Sequence, residues 1–127
     1  MYLTQSEMEI MQTFWKHDTA MTLNELIEVS PNKCWKDRSG FSIIKSLIKK
    51  GLIKEEGFVH IGKTIARTFF PAVSCTEFMI NQLDGYDGII DYSRLFARLL
   101  GDKSIGMDDI DELDRIISLK KKELDNR

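Results

Sequence analysis

Few residues in this sequence could form covalent cross-links or cross a membrane. The only two cysteines, Cys34 and Cys75, lie too far apart for a disulfide framework or a cysteine-rich zinc site. No run of about 18 apolar residues is present. The opening residues, MYLTQSEMEIM, lack the basic and apolar regions of a secretion signal. We therefore expect a cytoplasmic protein with reduced structural thiols and no membrane insertion.

Residues that support catalysis or bind metals are equally sparse. His17 and His60 fall in a predicted turn and a predicted hairpin loop, outside any triad-like or metal-ligand spacing. No glycine-rich phosphate loop is present, and the acidic residues 108–114 fit the start of a helix, where carboxylates favour the dipole. The sequence therefore predicts no enzyme activity, no catalytic residues, no cofactor and no metal site.

Charge is distributed unevenly along the 127 residues, whose formal net charge is −2. Residues 36–67 hold eight Lys and Arg against three Asp and Glu, a balance of +5, whereas residues 1–35 carry −3 and residues 68–127 carry −4. A basic middle between acidic ends indicates an anionic partner that binds at one place. A solvated charged face is the alternative that the charges alone leave open.

Two helix starts are signalled at the beginning of the chain. Thr4 and Glu7 have the spacing of a capping box, and so do Thr22 and Glu25. Apolar residues with helical periodicity follow each pair. Pro31 disfavours helical geometry at the residue before it and so ends the second helix. These signals predict two short helices joined by a polar turn.

A third helix and a hairpin follow. We expect the helix from about Asp37 to Lys50, with Gly51 as the glycine that closes it. The segments LIKEEGF and ARTFFPAV are strand-like, with HIGKT as the loop between them. Pro71 should end the second strand or leave it at a sheet edge. Three helices and a hairpin in about 70 residues predict a helix-turn-helix with a wing. The rest of the chain has helical patterns.

The third helix is the place where residue type and geometry indicate a function. Its aliphatic residues form one side, which leaves polar and basic residues near its N-terminus to face outward, as a helix in the major groove requires. We predict Arg38, Ser39, Ser42 and Lys45 to face the groove, and Lys36, Lys63 and Arg67 to contact phosphates. The alternative is a winged helix that binds a protein.

The sequence resembles the penicillinase-repressor family, bacterial winged-helix repressors of beta-lactamase and methicillin-resistance genes. The resemblance lies in LTQSEMEIMQTFW, TLNELIEV, CWKDRSGFSIIKSLIKKGLI and FFPAVS, and covers about residues 3–74. It implies a winged-helix DNA-binding domain at residues 1–74 and a helical dimerisation domain at residues 75–127. The expected fold class is therefore mainly α with a small β-hairpin, with an N-terminal winged helix-turn-helix and a C-terminal helical dimerisation part.

The resemblance also implies partners. A homodimer of this family binds a double-stranded DNA operator with dyad symmetry and blocks transcription, and in some systems a sensor protease triggers cleavage in the C-terminal part, here within residues 89–101. No cysteine follows Cys75, so the metal sensing of copper-responsive relatives is not expected. The expected dimer surface consists of Ile89, Tyr92, Leu95, Phe96, Leu99, Ile110, Leu113 and Ile117.

Three residues depart from the family pattern in the third helix: Gly40, Phe41 and Ser46. A glycine inside a helix costs about 0.5–1 kcal/mol relative to alanine. Phe41 takes the place of a basic residue, and three interpretations are open: its ring packs on Trp35, contacts a thymine methyl group, or marks weakened DNA binding. The second hypothesis is accordingly an interaction module that has lost specific operator binding.

Overall fold

The computed structural model describes residues 2–127, which form six α-helices, one 3-10 turn and one antiparallel hairpin. The elements are α1 (Gln5–His17), α2 (Leu23–Glu28), the 3-10 turn (Asp37–Ser39), α3 (Gly40–Lys49), β1 (Ile53–Ile61), β2 (Thr64–Pro71), α4 (Cys75–Gln82), α5 (Tyr92–Leu100) and α6 (Met107–Asp125). This order confirms the predicted winged helix-turn-helix followed by a helical part. The chain forms two compact units, and the second spans Tyr86–Arg127.

Both predicted capping boxes are present. The Glu7 backbone N–H donates to Thr4 Oγ1 at 3.1 Å, and the Thr4 N–H donates to Glu7 Oε1 at 2.9 Å. Thr22 and Glu25 exchange the same pair of hydrogen bonds, each of 3.1 Å. Each box satisfies two of the N–H groups that a helix start leaves without an intrahelical partner. The two helices therefore begin where the sequence predicted.

The core of the first unit lies where the three N-terminal helices meet the hairpin. The side chains with no exposed surface are Ile10, Met11, Phe14, Leu26, Ile44 and Leu47. The backbones of Met21 and Phe69 exchange hydrogen bonds of 3.0 and 2.8 Å, which attach the α1–α2 connection to β2. Burial of these aliphatic and aromatic groups is the main force that holds the helices and the hairpin together.

The third helix differs from the prediction at its start and agrees with it at its end. Residues 37–39 form a 3-10 turn, and the α-helix begins at Gly40. At the other end Gly51 has φ 78°, and the N–H groups of Gly51 and Leu52 donate to the carbonyls of Ile48 and Leu47, each at 2.9 Å. These bonds form the Schellman closure that glycine favours, because it adopts positive φ without strain.

The hairpin is longer than predicted. Its strands extend to the pair Ile61 and Thr64, so that only Gly62 and Lys63 form the turn, and the predicted HIGKT loop is wrong. Gly62 has φ 61°, as the first position of a tight II′ hairpin turn requires. His60, predicted in the loop, pairs with Ile65 inside the ladder. The second strand ends at Pro71, as predicted.

Helix α4 packs within the first unit. The Trp15 Nε1–H donates to the Val73 carbonyl at 3.0 Å, and the rings of Trp15 and Phe78 lie 5.4 Å apart. Phe78 is buried, which extends this unit through Gly85. The functional division into a DNA-binding domain at residues 1–74 and a dimerisation domain at residues 75–127 stays a prediction.

Candidate nucleic-acid interface

Helix α3 has one buried side and one exposed side. Ile44 and Leu47 are fully buried against the core, whereas Ser42 and Lys45 are exposed. Arg38, in the preceding 3-10 turn, is also exposed. Residues three and four apart share a helix face, so Arg38, Ser42 and Lys45 form one polar and basic face. The aliphatic side fixes the helix to the core and leaves the other side free to bind a partner.

The first turn of α3 is held by a close approach to α2. Gly40 is buried, and a Cβ at this position would lie 2.7 Å from Leu23 Cδ1 and 3.0 Å from Trp35 Cζ3. A larger residue would therefore force the side chains of Leu23 and Trp35 to move. Gly40 is needed for this contact, which its local helix propensity did not reveal.

The last turns of α3 are held by a charged hydrogen-bond network with α1. Lys50 Nζ donates to Glu7 Oε1 at 2.8 Å, and Ser46 Oγ donates to Glu7 Oε2 at 2.9 Å. Burial raises the pKa of Glu7, but the hydrogen bonds from Lys50, Thr4 and Ser46 outweigh it and lower the pKa from 4.5 to about 2. The carboxylate is therefore charged at neutral pH and fixes the C-terminal part of α3. Ser46, a departure from the family pattern, belongs to this network.

A groove of about 830 Å³ separates α3 from the hairpin. Its lining includes three cations, Lys45, Lys49 and Arg67, and one carboxylate, Glu55. The excess of positive charge attracts an anion to this groove. Arg67 Nη1 lies 3.3 Å from Glu55 Oε1, and both side chains are at least half exposed, so an incoming anion can compete for the guanidinium.

The structure brings some of the seven predicted DNA-binding residues together. Ser42, Lys45 and Arg67 line the groove. Ser39 is half-buried and, with Ser42, lines a shallower pocket beside α1. The others do not line the groove and are exposed at two places. These are Lys36 and Arg38, at the 3-10 turn, and Lys63, at the tip of the hairpin.

Sequence reasoning missed two members of this surface, Lys49 and Glu55, whereas it singled out Phe41. Lys49 lines the groove four residues after Lys45, and the helical period of the exposed side predicts this position. Phe41 is 44% exposed, and the Lys45 Nζ lies 5.5 Å from the centroid of its ring. The ring is therefore on the outer side of the helix. Glu55 carries no local signal, because the strand pairing brings it to Arg67.

The described residues give no indication of a metal centre or a membrane span. Among residues 2–127, no group of three or more His, Cys, Asp or Glu is placed to hold a metal ion. No helix in that range combines the length and the apolar character needed to cross a bilayer. Cys34 and Cys75, expected to be structural, are both exposed and are not joined to each other.

A helix-turn-helix, a wing and a basic exposed helix side define the class: a DNA-binding transcription regulator with a winged helix. The sequence model of the penicillinase repressor family matches residues 3–119, and the chain belongs to that family. The family consists of transcription regulators and not of enzymes. A comparison with curated proteins found no match.

Solved structures with a similar chain include three bacterial regulators. The monomeric BlaI of Bacillus licheniformis in complex with the blaP half-operator is 26% identical, over 61% of this chain and 88% of that one, with a TM-score of 0.42. The adhesin competence repressor AdcR of Streptococcus pyogenes is 15% identical, over 96% and 80%, with a TM-score of 0.47. MarR of Staphylococcus aureus, in complex with salicylate and kanamycin, is 15% identical, over 98% and 75%, with a TM-score of 0.43. At TM-scores below 0.5 these likenesses support no inference about a binding site.

Proposed function

We propose that the chain is a homodimeric repressor that binds a dyad-symmetric operator through residues 37–50 and the wing. The observation that carries the proposal is the basic, hydroxyl-bearing side of α3, which stays exposed while Ile44 and Leu47 fix the opposite side to the core. A helix supported in this way fits the major groove of B-DNA. Arg38, Ser42 and Lys45 supply the donors that base edges accept.

Phosphate contacts are assigned to the residues that flank the helix. Lys36 precedes the helix along the chain, Lys63 lies at the tip of the hairpin, and Arg67 lines the groove with Ser42 and Lys45. Contacts to the phosphate backbone fix the orientation of a protein on DNA without reading its sequence. In this proposal the three cations position α3, while Arg38 and the outer residues of α3 read the bases.

The proposed dimer uses the second compact unit. None of residues 86–127 is buried within the protomer. The predicted dimer residues that are exposed are Ile89, Tyr92, Phe96, Leu99 and Ile117, while Leu95, Ile110 and Leu113 are half-buried. Such apolar exposure indicates an interface. A second copy that covers this surface would give the two-fold symmetry that a dyad operator requires.

The proposal is tested by a mobility shift on DNA upstream of the chain's own gene at two salt concentrations. Arg38→Ala should weaken specific binding by about 1–3 kcal/mol and relax the base preference at one position per half-site. Lys63→Ala should weaken binding to all DNA sequences alike. It should also reduce the slope of log affinity against log salt concentration by about 1. Unchanged operator affinity in Arg38→Ala would remove that residue from the site.

One observation favours a second function, a protein-interaction module without specific operator binding. The turn of the hairpin carries one basic residue, Lys63. The hairpin also exposes four large apolar side chains: Phe58, Val59, Ile61 and Ile65. Apolar exposure of this kind is more typical of a protein contact than of a phosphate contact. The same mobility shift decides, because the interaction module would show no preference for any duplex.

A further inference from the structure

Phe41 is an apolar residue on the otherwise polar outer side of α3. Among the large apolar side chains of α3, Phe41 alone is exposed, whereas Ile44 and Leu47 are buried. Its neighbours on the outer side, Ser42 and Lys45, are polar. Exposure of an aromatic ring to water is unfavourable, and Phe41 stays 44% exposed within the protomer. A partner that covers the ring would therefore account for its position.

The ring has a defined place. It lines both the groove between α3 and the hairpin and a second cavity, of about 410 Å³, between the start of α2 and β2. Leu23 and Trp35 lie close to Gly40, the preceding residue, so the backbone that carries the ring is packed against the core. A preorganised backbone loses little conformational freedom on binding.

The partner group follows from what the major groove offers. Among the four bases, thymine alone presents a methyl group there, and it presents the O4 acceptor beside it. Phe41 supplies an apolar surface, and Lys45 supplies a donor 5.5 Å from the ring centroid. We propose that Phe41 is a specificity-determining residue that reads the C5-methyl group of one thymine in each half-site, with Lys45 facing the adjacent O4. This inference rests on the proposed operator-binding function and names one of its base contacts.

Deoxyuridine provides the direct test, because it lacks the methyl group and keeps O4. The preferred duplex is first obtained by selection from randomised DNA with the intact chain, and each thymine is then replaced in turn. Loss of one buried methyl group should weaken wild-type binding by about fourfold per substituted half-site, at one thymine position only. Phe41→Ala should bind the thymine and deoxyuridine duplexes with equal affinity, and its circular dichroism should match that of the wild type.

Phe58→Ala is the matched control. Phe58 is an exposed phenylalanine on β1 and lies outside the helix proposed to enter the major groove, where the thymine methyl group is presented. Phe58→Ala should keep the fourfold ratio between its affinities for the thymine and the deoxyuridine duplex, even if its overall affinity changes. A duplex with 5-methylcytosine at the same position carries the methyl group beside an amino donor, which Lys45 cannot use. Binding at the thymine level by that duplex would overturn the assignment to thymine.

The outcomes separate this inference from the function on which it rests. Sequence-specific binding with equal affinity for thymine and deoxyuridine at every position, or a ratio that Phe41→Ala retains, would overturn the role of Phe41 and leave operator binding intact. No preferred duplex in the selection would instead overturn the proposed function, and the role of Phe41 with it.

Discussion

Lys50 Nζ lies 2.8 Å from Glu7 Oε1, although the two residues are 43 positions apart in the sequence. Glu7 belongs to the capping box of α1, and Lys50 caps the C-terminus of α3. One carboxylate therefore serves two purposes: it completes the start of the first helix and fixes the end of the helix proposed to read DNA. The ion pair is mostly enclosed, because the Glu7 side chain is only 4% exposed.

Glu7→Gln should lower the free energy of unfolding at pH 7 by about 1–3 kcal/mol, because the amide carries no charge to pair with Lys50. The wild-type pKa of about 2 in the folded state lies below the ordinary 4.5. The unfolded chain therefore binds more protons between these values, and stability falls as pH drops from about 5 to about 2. Urea unfolding across this pH range measures both effects.

Glu28→Gln is the control for the change from carboxylate to amide, since Glu28 is exposed at the end of α2. It should leave both the free energy of unfolding and its pH dependence close to the wild-type values. Equal acid sensitivity in the wild type and Glu7→Gln would contradict the role assigned to the Glu7 carboxylate.

Gly40→Ala should destabilise the first unit by about 1 kcal/mol, although alanine is the better helix former. The new Cβ would meet Leu23 Cδ1 at 2.7 Å and Trp35 Cζ3 at 3.0 Å. A double-mutant cycle with Leu23→Ala, followed by thermal unfolding, isolates the contact, because removing the Leu23 methyl groups should reduce the penalty. An equal penalty in both backgrounds would exclude the clash with Leu23 as its cause.

The fold could be read from the sequence where the signals are local. Thr4 and Thr22 marked two helix starts, and Gly51 marked the end of the third helix, because caps depend on residues within one turn. The sequence underestimates the length of the hairpin because His60, Ile61 and Thr64 fall in a segment with a loop-like pattern. The tight turn at Gly62 needs only two residues, and the strand pairing that takes in the others is not a local property.

The surface around α3 could be predicted only in part. The exposed side of α3 followed from the helical period, and the same period would have included Lys49. Ser46 was judged against a family pattern, whereas its hydroxyl bonds to Glu7, 39 residues away. Gly40 was judged by helix propensity, whereas Leu23 and Trp35 determine its role. Tertiary contacts decide the roles of Ser46 and Gly40, and a single sequence does not display them.

Glu55→Gln should strengthen DNA binding at low salt by about two- to fivefold, if Arg67 contacts a phosphate as proposed. The carboxylate lies 3.3 Å from the Arg67 guanidinium and competes with the phosphate for it. The gain should shrink as salt screens the charges. Glu56→Gln is the control, because it removes the same charge from the residue next to Glu55. The Glu56 carboxylate pairs with Lys54 at 3.4 Å and not with Arg67. Equal effects of the two variants in a filter-binding titration would exclude a specific role for Arg67.

Phe96→Glu should convert the proposed dimer into a monomer, because it places a charge in the apolar side of α5. Phe96 is 55% exposed in the protomer, and Leu99, three residues later, is 52% exposed. Truncation of a central interface residue costs about 2 kcal/mol or more, and a buried unpaired charge adds to this. Sedimentation at about 10 µM should therefore show at least a 30-fold weaker association than the wild type.

Ala97→Glu adds the same charge on the side of the helix that carries Arg94, and it should stay dimeric. A wild-type monomer at that concentration would contradict the assignment of this surface to dimerisation.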